Sequence, residues 1–201
     1  MRGTLKIEFL FCLIATFVSG FFIFGASEVR AANVSSGADG NWSSPSTWAS
    51  TVRTGTITYV IDSPEIVGTG TAFLTELAVG GIITSASGRG NISVVVASIA
   101  DDTHLTVTTN AGLTSSGAKS FSSRNVPTAS DDVTIANGDA VVVDTDVSCA
   151  SLKFPTGNSA SSSLDINAGT LTVSGTVTIP RAASPAFNIM SVNGGSLMTS
   201  G

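Results

Sequence analysis

Cysteine is nearly missing from this chain. There are two in 201 residues, Cys12 and Cys149. Charge is also scarce, at 11% of residues, and positive charge is scarcer than negative: nine Lys and Arg against 14 Asp and Glu. There is one histidine, His104, one tyrosine, and two tryptophans. Each shortage excludes something. Two cysteines cannot supply the multi-disulfide framework of a small extracellular domain. The cations are scattered along the chain, so nothing offers the clustered Lys and Arg that release counterions from a nucleic-acid backbone. Anionic membrane surfaces are disfavoured for the same reason. One His and one Cys outside the N-terminal segment are too few for a zinc site. Long helices are excluded too, since Thr, Val, Ser and Gly dominate and no extended 3.6-residue period appears beyond the first 30 residues. Disorder does not fit a hydrophobic content of 42% arranged in short, regular runs.

What is present begins with an export signal. Arg2 and Lys6 precede a nearly unbroken apolar run from Phe9 to Gly25, and Val29-Arg30-Ala31 supplies an apolar and a small residue at the two positions a signal peptidase reads. Residues 1–31 are therefore expected to form a signal-peptide helix, with Ala31–Ala32 as the cleaved bond. Membrane contact is expected only through this segment during export. An uncleaved anchor is the alternative, although the run is short for a span of about 20 residues. Beyond residue 31 the chain holds 12 Asp and Glu against six Lys and Arg, and Cys149 has no partner for an intrachain disulfide.

The remaining sequence reads as all-β. Short Val, Thr, Leu and Ile runs alternate with Gly, Asn, Asp and Ser. Residues 55–112 form a distinct unit. Thr56–Ile61 alternates as a strand; Val67–Phe73, Leu77–Ile83, Ile92–Ile99 and Leu105–Val107 follow, with Asp101-Asp102 as a turn. Four or five strands with tight turns predict a small open β-barrel. Residues 113–123 read as a Ser/Gly-rich linker. From Asp132 onward apolar pairs recur: Val133/Ile135, Val141/Val143, Leu152/Phe154, Leu164/Ile166, Leu171/Val173, Val177/Ile179, Phe187/Ile189 and Leu197. Val133, Leu152 and Leu171 are spaced by 19 residues, a period that suits one coil of a parallel β-helix. An antiparallel sandwich would give similar short strands; the absence of two-residue hairpin turns favours the helix. Residues 32–54 and 124–201 are thus expected to be the start of a solenoid and 55–112 an insertion into it. The uncapped ending at Met198-Thr-Ser-Gly201 suggests the N-terminal piece of a longer protein.

A resemblance rests on these motifs. Asn41-Trp-Ser-Ser-Pro-Ser-Thr-Trp48, resumed by Val126-Pro-Thr-Ala-Ser-Asp-Asp-Val-Thr-Ile-Ala-Asn-Gly138 and Val141-Val-Val-Asp144, resembles the opening of large secreted bacterial surface proteins and is similar to the G8-type β-domain. It covers most of residues 38–54 and 124–180 and implies a right-handed parallel β-helix. Val67–Ile82 together with Ser98–Val107 resembles a small β-barrel module of phage tail and bacterial surface proteins. That module usually has an acidic residue where this chain has Gly81. The resemblance implies architecture and no particular reaction.

Candidate chemistry is thin. Trp42 and Trp48 could stack on sugar rings if their faces are exposed; otherwise they bury the first coil. Asp131-Asp132 and Asp144-Thr-Asp146 could offer oxygen ligands to Ca²⁺, although neither pair matches a known calcium-loop spacing and turn aspartates are commonly solvated. His104 beside Asp101-Asp102 reads as a turn residue, and no Gly-x-Ser-x-Gly elbow accompanies it. Gly112-Leu-Thr-Ser-Ser-Gly117-Ala-Lys119-Ser120 only superficially resembles a phosphate loop, because Ala118 separates glycine from lysine and no strong helix follows; no nucleotide is expected. Cys149 reads as an inward-facing core residue. No catalytic residues are assigned. The expectation is a non-enzymatic exported scaffold that contacts glycans or cell surfaces. The alternative is the start of a polysaccharide lyase or glycosidase whose catalytic coils lie beyond residue 201.

Overall fold

The computed structural model of the chain describes residues 32–86, 90–157 and 159–200. The expected signal-peptide helix over 1–31 lies outside them. The strands, in chain order, are β1 (Asn33–Ser35), β2 (Gly40–Asn41), β3 (Thr51–Val52), β4 (Thr56–Tyr59), β5 (Glu65–Thr69), β6 (Ile82–Ala86), β7 (Asn91–Ile99), β8 (His104–Val107) and β9 (Phe121–Arg124). They continue as β10 (Asp132–Thr134), β11 (Ala140–Val143), β12 (Val147–Cys149), β13 (Ser151–Lys153), β14 (Ser162–Ile166), β15 (Thr170–Val173), β16 (Val177–Thr178), β17 (Asn188–Val192) and β18 (Ser196–Thr199). Helix is confined to one turn each at Pro45–Thr47 and Phe73–Glu76 among the described residues. The fold is all-β, and among the described residues no helix is long and apolar enough to cross a membrane.

Two kinds of pairing divide the strands. Three sheets are parallel throughout: β1-β10-β13-β16, β2-β11-β14-β17 and β12-β15-β18. Successive residues along a strand point to opposite faces, so each in-register ladder sends a column of apolar residues to one side. Val34, Val133, Leu152 and Val177 share one register column. Val141, Leu164 and Met190 share a second, and Val147, Leu171 and Leu197 a third. Except for Leu197, which is exposed, these columns meet in a single core with Trp42, Trp48, Val143, Cys149, Ile166 and Val173. The expected 19-residue period is not kept. Leu152 does follow Val133 in its ladder, but Leu171 pairs with Val147 instead of following Leu152. Leu164 lies 23 residues after Val141, and Met190 another 26 on. The turns differ in length, and only the strands keep register.

The other kind is a seven-stranded antiparallel sheet, ordered β3-β9-β6-β7-β8-β5-β4. Ile57 of β4 exchanges two backbone hydrogen bonds with Lys119, at 2.8 and 2.9 Å, and this ties the β4 end of the sheet back to the approach to β9. A second core forms inside it, from Ile57, Tyr59, Ile66, Phe73, Ile83, Leu105, Phe121 and their neighbours. The unit runs from β3 to β9, wider than 55–112. The segment read as a linker is part of it: Phe121 is buried and meets Phe73 edge-on at 5.9 Å, and the Ser115 hydroxyl donates to the Tyr59 carbonyl. A Ser/Gly-rich composition hid one inward-facing phenyl ring.

At the far edge of the parallel sheets, β16, β17 and β18 leave large apolar side chains in solvent. Phe187, Ile189, Val192 and Met198 are each about half exposed or more. Ile179 and Phe187, expected inside, are outside because the segment from Pro180 to Phe187 loops away between β16 and β17.

Candidate functional site

The two tryptophans are the first sequence candidates, and both are core residues. Trp42 is 0% and Trp48 1% exposed. Pro45–Thr47 folds as a single helical turn between them, which brings the rings together edge to face at 4.9 Å and 73°, a favoured aromatic geometry. The indole N–H of Trp48 donates to the Trp42 carbonyl at 2.9 Å; that of Trp42 has no partner. A sugar ring needs an exposed indole face, and neither ring presents one. The alternative, in which the pair buries the start of the parallel core, is the one this burial fits.

The four aspartates expected to offer calcium ligands are each engaged by protein donors. Among the described residues, no three His, Cys, Asp or Glu side chains converge on a common point. Each carboxylate accepts hydrogen bonds from a nearby segment. Asp131 is 4% exposed; its Oδ2 accepts from the Thr128 N–H (2.7 Å) and hydroxyl (2.9 Å), and its Oδ1 from the Ala32 N–H (2.9 Å). Asp132, next along the chain, is exposed and takes the Ser151 hydroxyl. Asp144 accepts from the Ser43 N–H (3.1 Å) and hydroxyl (2.5 Å), and Asp146 from the Thr170 N–H (2.7 Å). Asp39 and Asn137 do the same for the N–H groups of Ala140 and Ala160. Turn aspartates and asparagines thus act as staples, satisfying amides at the strand entrances that would otherwise lack acceptors. For Asp144 partial burial opposes ionisation, but the Ser43 bonds outweigh it and hold the carboxyl below its ordinary range.

Two other titratable groups are explained locally. Asp101 is held at about 2, chiefly by the hydroxyl and N–H of Thr103 and then by His104, whose Nδ1 lies 3.1 Å away. All three are exposed or half-exposed on the turn before β8, so this His–Asp contact lies on an open surface. Burial pushes the Cys149 thiol up to about 11, helped by the charges of Asp132 and Asp131; a thiol so shielded is neither nucleophile nor ligand near neutrality.

One arrangement gave no sequence signal. Where the parallel core meets the antiparallel unit, Ala32, Arg53, Glu76 and Asp131 line a common cleft of about 80 Å³. That is room for two or three waters and well below the roughly 300–1,000 Å³ of an ordinary small-molecule pocket. Desolvation lowers the Arg53 pKa from its ordinary value, while Glu76 and Asp131 act in the opposite sense. The Arg53 Nε donates to the Ser123 hydroxyl at 2.7 Å, and Glu76 accepts from the N–H and hydroxyl of Thr54 at 2.9 and 2.5 Å. These residues are 20 to 100 positions apart, and only the fold brings them together. No known protein family, curated protein or solved structure matches this chain.

Proposed function

We propose that this chain is an exported surface scaffold: a right-handed parallel β-helix that carries a small β-barrel inserted after its first rung. The observation that carries the reading is the set of three in-register parallel ladders sharing one apolar core. Parallel neighbours require a crossover between them, and such crossovers are right-handed in nearly all sheets, which is the basis for the assigned hand. Stacked rungs of this kind bury a continuous core and offer long, low-charge outer faces. In this reading contact with cell surfaces or glycans falls to those outer faces, or to the inserted barrel, and not to Trp42 and Trp48. No bond-making role is assigned to any residue. The acidic groups that could serve one are the staples described above.

The test is fractionation of the producing cells, followed by protease shaving of intact cells. The reading expects the protein in the envelope or medium, lacking residues 1–31 and accessible to protease. Protein found only inside the cell, with residues 1–31 still attached, would overturn it. A glycan array probed with the secreted form then identifies any carbohydrate ligand; binding that survives outward-facing substitutions but is lost in a folded Trp42→Phe variant would move the site back to the tryptophans.

A further inference from the structure

The Asp131 carboxylate is buried without a cation. Its three donors are two backbone amides and one hydroxyl, all neutral. Among the described residues no Lys, Arg or His nitrogen comes within 4.0 Å of it. A buried carboxylate without a counter-charge is costly. The cleft it faces holds two carboxylates, Asp131 and Glu76, against one guanidinium, Arg53. One positive charge is missing from the balance.

The chain can supply that charge at one atom. Asp131 Oδ1 takes its bond from the backbone nitrogen of Ala32, at 2.9 Å. The same residue is fixed from its other side, since its carbonyl accepts from the Asp132 N–H at 2.9 Å, and β1 begins at the next residue in register with β10. Ala32 is also the residue that follows the peptidase-type sequence Val29-Arg30-Ala31. Hydrolysis of the Ala31–Ala32 bond adds one water across it. Ala31 departs with a carboxylate, and the Ala32 nitrogen takes a proton and becomes an ammonium, charged at neutral pH.

We infer that Asp131 is the acceptor for the α-ammonium created when the leader is removed at Ala32. Processing then converts a neutral amide–carboxylate bond into a charge-assisted one, which is shorter and stronger. It also brings the cleft to two positive and two negative charges. The consequence is a fold that becomes more stable on maturation: the start of β1 already bonds to Asp131 and pairs with β10 beside the junction with the antiparallel unit, and loss of the leader strengthens that clamp. This inference rests on the export reading of residues 1–31.

The experiment compares three forms of the secreted protein: the natural mature chain beginning at Ala32, the same chain acetylated at its α-amine, and a chain that retains Ala31. Each is made with Asp131 and with Asp131→Asn, and urea unfolding is measured. With Asp131 present, acetylation or the one-residue extension should raise the unfolding equilibrium constant about tenfold. In the Asp131→Asn background the three forms should differ by less than about twofold. Because Asp131→Asn could itself fail to fold, a second readout uses only the natural sequence. Acylation of the Ala32 amine, followed on the N-terminal peptide by mass spectrometry, should run about tenfold slower in the folded protein than in urea. Equal stability of the three Asp131 forms, or equal acylation rates folded and unfolded, would overturn the inference while leaving export standing. A first residue other than Ala32 in the secreted protein would overturn it as well. Retention of residues 1–31 would contradict the export reading itself.

Discussion

Replacing each tryptophan by phenylalanine should separate the two rings energetically. Both substitutions remove the same atoms from fully buried sites, so the cavity contributions are similar. The hydrogen bonds are not. Trp48→Phe deletes the 2.9 Å bond from its indole to the Trp42 carbonyl and leaves that buried acceptor short of a partner. Such a loss costs about 1–3 kcal/mol. Trp42→Phe deletes an N–H that has no partner, which relieves a desolvation cost and offsets part of the lost packing. Trp48→Phe should therefore be the less stable variant by about 1–3 kcal/mol. For a domain of this size that corresponds to about 2–4 °C in Tm per kcal/mol. Either Trp→Ala substitution should cost about 3–5 kcal/mol. The assay is urea unfolding followed by the fluorescence of the remaining tryptophan, with near-ultraviolet circular dichroism reporting the edge-to-face pair. A Trp48→Phe variant as stable as Trp42→Phe would refute the assignment of that hydrogen bond. A Trp42→Ala/Trp48→Ala double variant of unchanged stability would refute the burial of the pair altogether.

Other predictions follow from single sites. The Cys149 proton is bound more tightly in the folded chain than in the unfolded one, up to about 11 against an ordinary 9.0. The stability this contributes is complete below about pH 9 and is lost as pH rises toward 11; alkylation of native protein at pH 8 should be negligible until denaturant is added, and prompt labelling would contradict its burial. At Gly169, φ is +71° and a Cβ would sit 2.3 Å from the Thr145 carbonyl carbon. Gly157→Ala, at φ +63° with open space around it, should cost about 1–2 kcal/mol for its backbone conformation alone, and Gly169→Ala, which adds the backbone clash to the same conformational cost, should destabilise by clearly more than that; equal midpoints would remove the argument. Because the aspartates are engaged in staples, EDTA should leave the thermal midpoint unchanged, and a drop of several degrees would reveal a cation site. Met198→Lys, on an exposed edge strand, should lower aggregation of the isolated chain in light scattering without lowering its Tm.

The sequence was most readable where side chains alternate. Val141/Val143, Leu164/Ile166 and Leu171/Val173 announce themselves by period two, and all six are buried in one core. What it concealed was connection. The connections between the parallel strands vary in length, so a spacing count placed Leu171 after Leu152, although its strand partner is Val147. Phe121 was lost in a Ser-rich stretch because one apolar residue carries no periodicity. The tryptophans were visible as a motif, but exposure depends on what packs over them, and that includes Val133–Phe154, a segment about 100 residues away. Asp131 was singled out by its charge and its neighbour Asp132. Besides its local bonds to Thr128, it accepts from the nitrogen of Ala32, 99 residues earlier, and no local pattern joins those two.

The central claim is that β10, β13 and β16 are consecutive rungs of a stacked parallel core. Spin labels at Thr134→Cys and Thr178→Cys test it most directly, since these positions share one register column through Lys153. Two strand spacings put their backbones about 10 Å apart. The account predicts strong dipolar broadening for the doubly labelled protein, with none in either single label, and a loss of broadening on unfolding in urea. A folded, doubly labelled protein without broadening would contradict the stacked rungs and, with them, the scaffold reading built upon them.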